Sequence, residues 1–202
     1  MIFLNSLDGE ERDAFDFSSE QVRWLAGELQ SASGEGSRAV LVMHTYPSEL
    51  TTCREKVQRL IAERRILLVA MGHTHYNELA NDGTTVYSAT RSTGQIEEGP
   101  TGFSITNLDR DVVSWRFKPL AEWPFAMITS PGDRRPIVDP ARASKLVKGP
   151  VEIRAKAWSA QGVMAANLQV DAGNQRRCPW VDLPSIGSAI GIRRESAMEN
   201  TN

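Results

Sequence analysis

The sequence predicts an α/β fold, a mixed sheet with covering helices, followed by a short all-β segment. Three observations predict it. Ala39-Val40-Leu41-Val42-Met43 and Ile66-Leu67-Leu68-Val69-Ala70-Met71 are continuous apolar runs, the texture of strands buried on both faces of a parallel sheet. An amphipathic stretch with helical spacing precedes each run. After residue 75 the pattern changes to short alternating runs separated by turn signals, as in antiparallel strands.

Taken in order, Ile2 to Leu7 is a short apolar run, followed by an acidic loop carrying Asp8, Glu10, Glu11, Asp13 and Asp16. Ser18-Ser19-Glu20-Gln21 then fits a capping box, in which the Ser18 hydroxyl accepts from the Gln21 amide and Gln21 reaches back. Val22, Leu25, Ala26 and Leu29 follow at i, i+3, i+4 and i+7, one apolar helical stripe that Gly34-Glu35-Gly36 terminates. A second helix is expected over Thr51 to Arg64, with Val57, Leu60 and Ile61 inward. The order strand, helix, strand, helix, strand implies parallel pairing through right-handed crossovers. Asn81-Asp82-Gly83 marks a turn ahead of a strand over Thr84 to Ala89, and Gly102 to Asn107 and Val113 to Lys118 read as further strands completing the sheet. Pro131 to Pro150, with four prolines, reads as a linker. Val151 to Trp158 and Val163 to Val170 alternate around Ser159-Ala160-Gln161-Gly162 in a hairpin pattern, and residues 183 to 202 are expected to form a frayed tail.

Composition narrows the function classes. The 202 residues, 41% hydrophobic and 24% charged, suffice for one sizeable core, or for one domain and part of another. A net charge of −2 gives no electrostatic reason to expect nucleic acid or a membrane surface as partner. No apolar stretch approaches the roughly 18 residues of a membrane span, and no signal peptide is visible, so a cytoplasmic setting is the default expectation. Cys53 and Cys178 stand in unrelated contexts and read as ordinary thiols. The tryptophans Trp24, Trp115, Trp123, Trp158 and Trp180 are spread through the chain, as core and interface packing would spread them.

The chain's three histidines are its chemical signal. His44 ends the first buried run; His73 and His75 follow the second in Gly72-His73-Thr74-His75. A lone histidine at a strand end is more often hydrogen-bonded than metal-bound, but here all three fall at the carboxyl edge of adjacent parallel strands. Ligands collect at that edge because the loops converge there. Histidines at i and i+2 in a loop can face different ions of a pair, and Gly72 allows a tight exit from the strand with no side chain to collide with an ion. Each imidazole would place a nitrogen about 2.0 to 2.1 Å from a zinc-like ion. Two ions roughly 3.5 to 4 Å apart could clamp a phosphoryl group and activate water.

The runs Ile2-Phe3-Leu4-Asn5-Ser6-Leu7-Asp8, Ser19 to Leu29 with Gln21 and Trp24-Leu25, Val40-Leu41-Val42-Met43-His44-Thr45-Tyr46-Pro47 and Met71-Gly72-His73-Thr74-His75 resemble the calcineurin-like metallophosphoesterases, in particular the branch similar to cyclic-nucleotide phosphodiesterases. The resemblance covers about residues 1 to 118. It implies a metallophosphoesterase sandwich, two divalent ions (Mn, Fe or Zn), and a small phosphate-ester substrate. It also implies that His44 and His73 bind the second metal and His75 the first. Asn77 and Arg91, after the Gly-His-x-His loop, are candidate substrate-binding residues. The family's Asp-x-His, Gly-Asp-x-x-Asp and Gly-Asn-His-Asp/Glu elements, which supply the remaining ligands, the bridging Asp and the general-acid His, do not occur in this chain.

The resemblance therefore implies the carboxyl half of a phosphoesterase domain over residues 1–122. A β-rich accessory segment follows over 123–182, where Val151 to Ala155 and Val163 to Asp171 resemble the start of an immunoglobulin-like module, and then the tail of 183–202. With three neutral ligands and no bridging carboxylate, a divalent pair would be under-coordinated. Two other readings stay open: a catalytically inactive fragment or interaction module, and a mononuclear site of three histidines plus water.

Overall fold

A buried parallel strand satisfies its peptide groups only through neighbours on both sides, so the two apolar runs must lie within a sheet. The computed structural model, which describes residues 1–7, 14–64, 66–94, 99–132, 152–169, 176–177 and 189–192, places them there. Among these residues the chain runs β1 (Ile2–Phe3), α1 (Ser19–Gly34), β2 (Ala39–Val42), α2 (Arg54–Glu63), β3 (Ile66–Met71), β4 (Glu78–Asn81) and β5 (Val86–Ala89). These strands form one five-stranded sheet in the order β1-β2-β3-β5-β4. Its first four members are parallel, while β4 pairs antiparallel with β5. The fold is mixed α/β with a parallel-rich sheet.

Helix α1 begins and ends on local chemistry. Ser18 Oγ accepts from Gln21 N at 3.2 Å, the first half of the expected capping box. The second half does not form. Gln21 turns its amide to Asn5 instead, accepting from Asn5 N at 2.9 Å and donating to Asn5 O at 3.0 Å, so the helix grips the chain just past β1. At the other end, Gly36 takes φ +70°, Gly36 N donates to Ser33 O and Ser37 N donates to Ala32 O, the paired bonds of a Schellman stop. Buried Leu25 and Leu29 of α1 and Val57 and Ile61 of α2 join Leu41, Ile66, Val69 and Met71 of the strands in one core. Each such side chain contributes about 1.5–3 kcal/mol of burial, and Leu25→Ala would cost roughly 2–5 kcal/mol.

Helix α2 starts at Arg54 rather than Thr51, because residues 51–53 are held by a distant carboxylate. Asp16 Oδ1 accepts from Cys53 N at 3.0 Å, and Asp16 Oδ2 accepts from Thr52 N and Thr51 Oγ1, each at 2.9 Å, and from Thr52 Oγ1. Burial alone would raise the Asp16 pKa. The bonds from Cys53 and Thr52 outweigh it and hold the carboxyl well below the ordinary range. The acidic stretch thus ends in a buried anchor rather than a solvated face; its members from 8 to 13 lie outside the described residues.

The described residues up to Phe103 form one compact unit, and the described residues from Ser104 on belong to a second. Strand β6 (Gly102–Asp109) pairs with β7 (Val112–Pro119) in a sheet of their own, so these strands do not complete the first sheet as the sequence pattern suggested. Next come β8 (Phe125–Ser130), β9 (Ile153–Trp158), β10 (Asn167–Leu168), β11 (Arg176–Arg177) and β12 (Ala189–Ile192). Here too the sequence pattern misled. The turn at Ser159 to Gly162 exists, with Gly162 N donating to Ser159 O, but β9 pairs with β8 and β12, whereas β10 pairs with β11. Residues 163–168 instead lay Val163, Ala166 and Leu168 against Ala157. They pack by side chains where a ladder was expected. In this unit Lys118 is buried, its ammonium 4.2 Å from the Trp123 ring centre and donating to Pro119 O at 2.7 Å. Most of the expected linker, Cys178, Trp180 and most of the tail lie outside the described residues; the described part of the tail, Ala189–Ile192, is not frayed but paired with β9.

Candidate functional site

The parallel ladder of β2 and β3 continues past both strands and delivers the histidine segments side by side. Met43 N donates to Ala70 O at 3.0 Å, and Gly72 N donates to His44 O at 3.0 Å. On the other flank of His44, the buried Ser6 hydroxyl accepts from His44 N at 3.2 Å and Thr45 N at 3.4 Å. The His44 and His73 rings therefore meet, with centroids 5.3 Å apart and planes at 70°.

The backbone is strained at this point. His73 has φ +69° and His75 has φ +63°, the left-handed region that costs a residue with a Cβ roughly 1–2 kcal/mol. Such conformations persist where the surroundings over-determine them, and they cluster at functional sites. The sequence suggested that Gly72 gives the chain its freedom here. The structure assigns the unusual dihedrals to the two histidines, and a Cβ built on Gly72 would meet the His44 ring at 3.6 Å, an ordinary contact.

Three further groups surround the pair, and the sequence reading assigned a role to none of them. Phe15 sets its ring 4.6 Å from His73, edge to face, and 5.9 Å from His44. Its position is fixed by Thr51 N, which donates to Phe15 O at 3.0 Å, and by the neighbouring Asp16 anchor. Glu49 brings Oε1 to 3.8 Å from His73 Nε2. Its other oxygen accepts from Thr45 Oγ1 at 2.6 Å and Tyr46 N at 3.0 Å. Burial pushes the Glu49 carboxyl up, but those two bonds and the nearby His73 and His44 outweigh it, and the group is held below its ordinary pKa.

The third group ties the two loops together. The Tyr46 hydroxyl donates to Glu78 and lies 3.4 Å from Thr74 Oγ1, while Thr74 Oγ1 itself donates to Glu78 at 2.9 Å. Burial and the Glu78 carboxylate push the Tyr46 phenol up to about 12, so it remains a donor at neutral pH. Thr74 separates the two histidines of the Gly-His-x-His loop, and Tyr46 lies two residues past His44. The brace thus couples both segments.

Asn77 and Arg91 are brought together, since Arg91 N donates to Asn77 Oδ1 at 3.1 Å. The Arg91 side chain is buried, donates to Pro100 O and lies under Gly99, where an added Cβ would come within 2.9 Å of its guanidinium.

No protein-family model matches the sequence, and no curated protein matches it either. Among solved structures, the chain is similar to a dimetal phosphatase from Danio rerio at 18% identity and a TM-score of 0.45, over 52% of this chain and 37% of that one. The chain thus spans little more than a third of that structure. At this distance the chemistry must come from the residues themselves.

Those residues do not make a complete metal site. Among the described residues no three His, Cys, Asp or Glu side chains are grouped so that they could hold a metal ion. His75 does not close a three-donor set with His44 and His73, and the mononuclear three-histidine arrangement does not form. The pair supplies two nitrogen donors where even a structural zinc needs four.

Proposed function

We propose that the edge carrying His44 and His73 is one wall of a metal-dependent phosphoesterase site that hydrolyses small phosphate mono- or diesters. The donors that close the site, among them a bridging carboxylate and a general acid, are in this reading supplied by residues other than those described. The observation that carries it is the delivery of two imidazoles, 5.3 Å apart, to adjacent parallel-strand ends, with His73 in a strained backbone. Neutral imidazoles suit Zn and Fe, and the bridging carboxylate of this reading suits Mn, the ions it requires in a pair. His75 serves the other ion of that pair. Asn77 and Arg91, which bond each other, lie at the substrate side in this reading.

The test is a titration of the chain with zinc and manganese, followed at the imidazole nitrogens by NMR, beside hydrolysis of nitrophenyl phosphate mono- and diesters. Metal-dependent shifts at His44 and His73, lost in His44→Ala, are the expected result, with turnover absent or low in the isolated chain. Unshifted imidazoles at millimolar metal together with no turnover would overturn it.

A second reading, a catalytically inactive fragment or interaction module, is favoured by the lack of a three-donor group among the described residues. Metal-stimulated ester hydrolysis that His73→Ala abolishes would remove it.

A further inference from the structure

Glu49 lies five residues past His44, and nothing in the sequence pattern around it suggests chemistry. Its two carboxylate oxygens do different work. Oε2 is fixed by Thr45 Oγ1 at 2.6 Å and Tyr46 N at 3.0 Å, within a turn that Glu49 N closes by donating to Tyr46 O at 3.0 Å. With Oε2 held, Oε1 faces His73 Nε2 at 3.8 Å.

We propose that Glu49 is the positioning residue of His73: it keeps the imidazole with Nε2–H towards the carboxylate and so presents the Nδ1 lone pair as the working atom of the ring. The inference takes the His44–His73 edge as the working site. The reasoning is electrostatic. A neutral imidazole carries a proton on one nitrogen and a lone pair on the other, and a lone pair at Nε2 facing a carboxylate oxygen is repelled, whereas an N–H there is attracted. The Phe15 edge contact at 4.6 Å and the His44 ring at 5.3 Å limit how the His73 ring can turn, so the choice of tautomer also decides which nitrogen is available. A carboxylate behind a histidine is a common way of raising the ring's basicity and fixing its aim. Here that carboxylate comes from the loop after β2 while the histidine follows β3, so Glu49 couples the two strand ends through charge.

The experiment is long-range ¹H–¹⁵N NMR of the imidazoles in the full, metal-free chain at mildly alkaline pH, for the wild type, Glu49→Ala and Glu49→Gln. His73 of the wild type is expected as the Nε2–H tautomer. In Glu49→Ala the tautomer ratio should fall about threefold, the scale of a half-exposed carboxylate contact. In Glu49→Gln the one carbonyl oxygen is claimed by Thr45 Oγ1 and Tyr46 N, so the NH2 faces His73 and the preference should fall at least as far as in Glu49→Ala. A wild-type His73 protonated at Nδ1 overturns the proposal without recourse to any variant, as does an unchanged ratio in a folded Glu49→Ala. Because the readout needs no metal, the phosphoesterase reading can fail in its own titration while the tautomer result stands.

Discussion

The Phe15 ring approaches the His73 imidazole edge to face at 4.6 Å and shields one side of the histidine pair. His44 is already exposed, so Phe15→Ala is expected to expose chiefly the half-buried His73 ring. Carbethoxylation by diethyl pyrocarbonate, located by mass spectrometry, should become several-fold faster at His73 and stay unchanged at His75. The loss of a half-buried aromatic should cost about 1–3 kcal/mol in urea unfolding. Equal modification rates in wild type and variant would show that Phe15 shields nothing.

Asp16 makes stability depend on acid. Its carboxyl is held below the ordinary range in the folded chain, while the unfolded chain returns it to about 3.9. Between those two values the unfolded state binds the extra proton, so stability rises with pH there. The Asp16 contribution is fully present above about pH 4 and is lost as pH falls through the folded value. Asp16→Asn should destabilise the chain by about 2–4 kcal/mol at pH 7, since an amide offers one acceptor where the carboxylate serves several donors. It should also flatten the fall in the urea midpoint below pH 4. A variant with the same acid slope as the wild type would move that slope to other carboxylates.

Cys53 should be inert while the chain is folded. Burial, then the hydrogen bond to and charge of Asp16, push its thiol up to about 11, so thiolate is scarce at neutral pH. Alkylation by iodoacetamide, read at the Cys53 peptide, should be slow in buffer and accelerate in step with unfolding in urea. Rapid native alkylation would show that the clasp around Asp16 opens locally.

The dihedral at His73 predicts an inversion of the usual glycine penalty. At φ +69°, glycine is unstrained and alanine is not. His73→Gly should therefore be more stable than His73→Ala by about 1 kcal/mol in chemical denaturation. The reverse order would place His73 in the right-handed region.

The parallel core was legible because continuous apolar runs such as Ile66 to Met71 have few other solutions, and the edge they point to follows from topology. His44 and His73 were found because their residue type is chemically marked. Phe15, Glu49 and Asp16 were not: each acts through a partner 24 to 58 positions away in sequence, and no local periodicity records that. Gln21 shows the same limit within a motif. Its spacing from Ser18 fits a capping box, yet Asn5 won the competition for its amide. The hairpin expected around Gly162 failed because alternation fixes which residues face inward, not which strand lies alongside.

The grip of Gln21 on Asn5 also bears on self-association. β1 is the outer member of its sheet among the described residues, the position from which sheets recruit foreign strands. A primary amide that accepts from one residue's N–H and donates to the same residue's carbonyl copies what an adjoining strand would offer. Gln21 is in effect a surrogate strand one residue long. Within β1 it leaves an incoming segment only Ile2 and Phe3 to pair with.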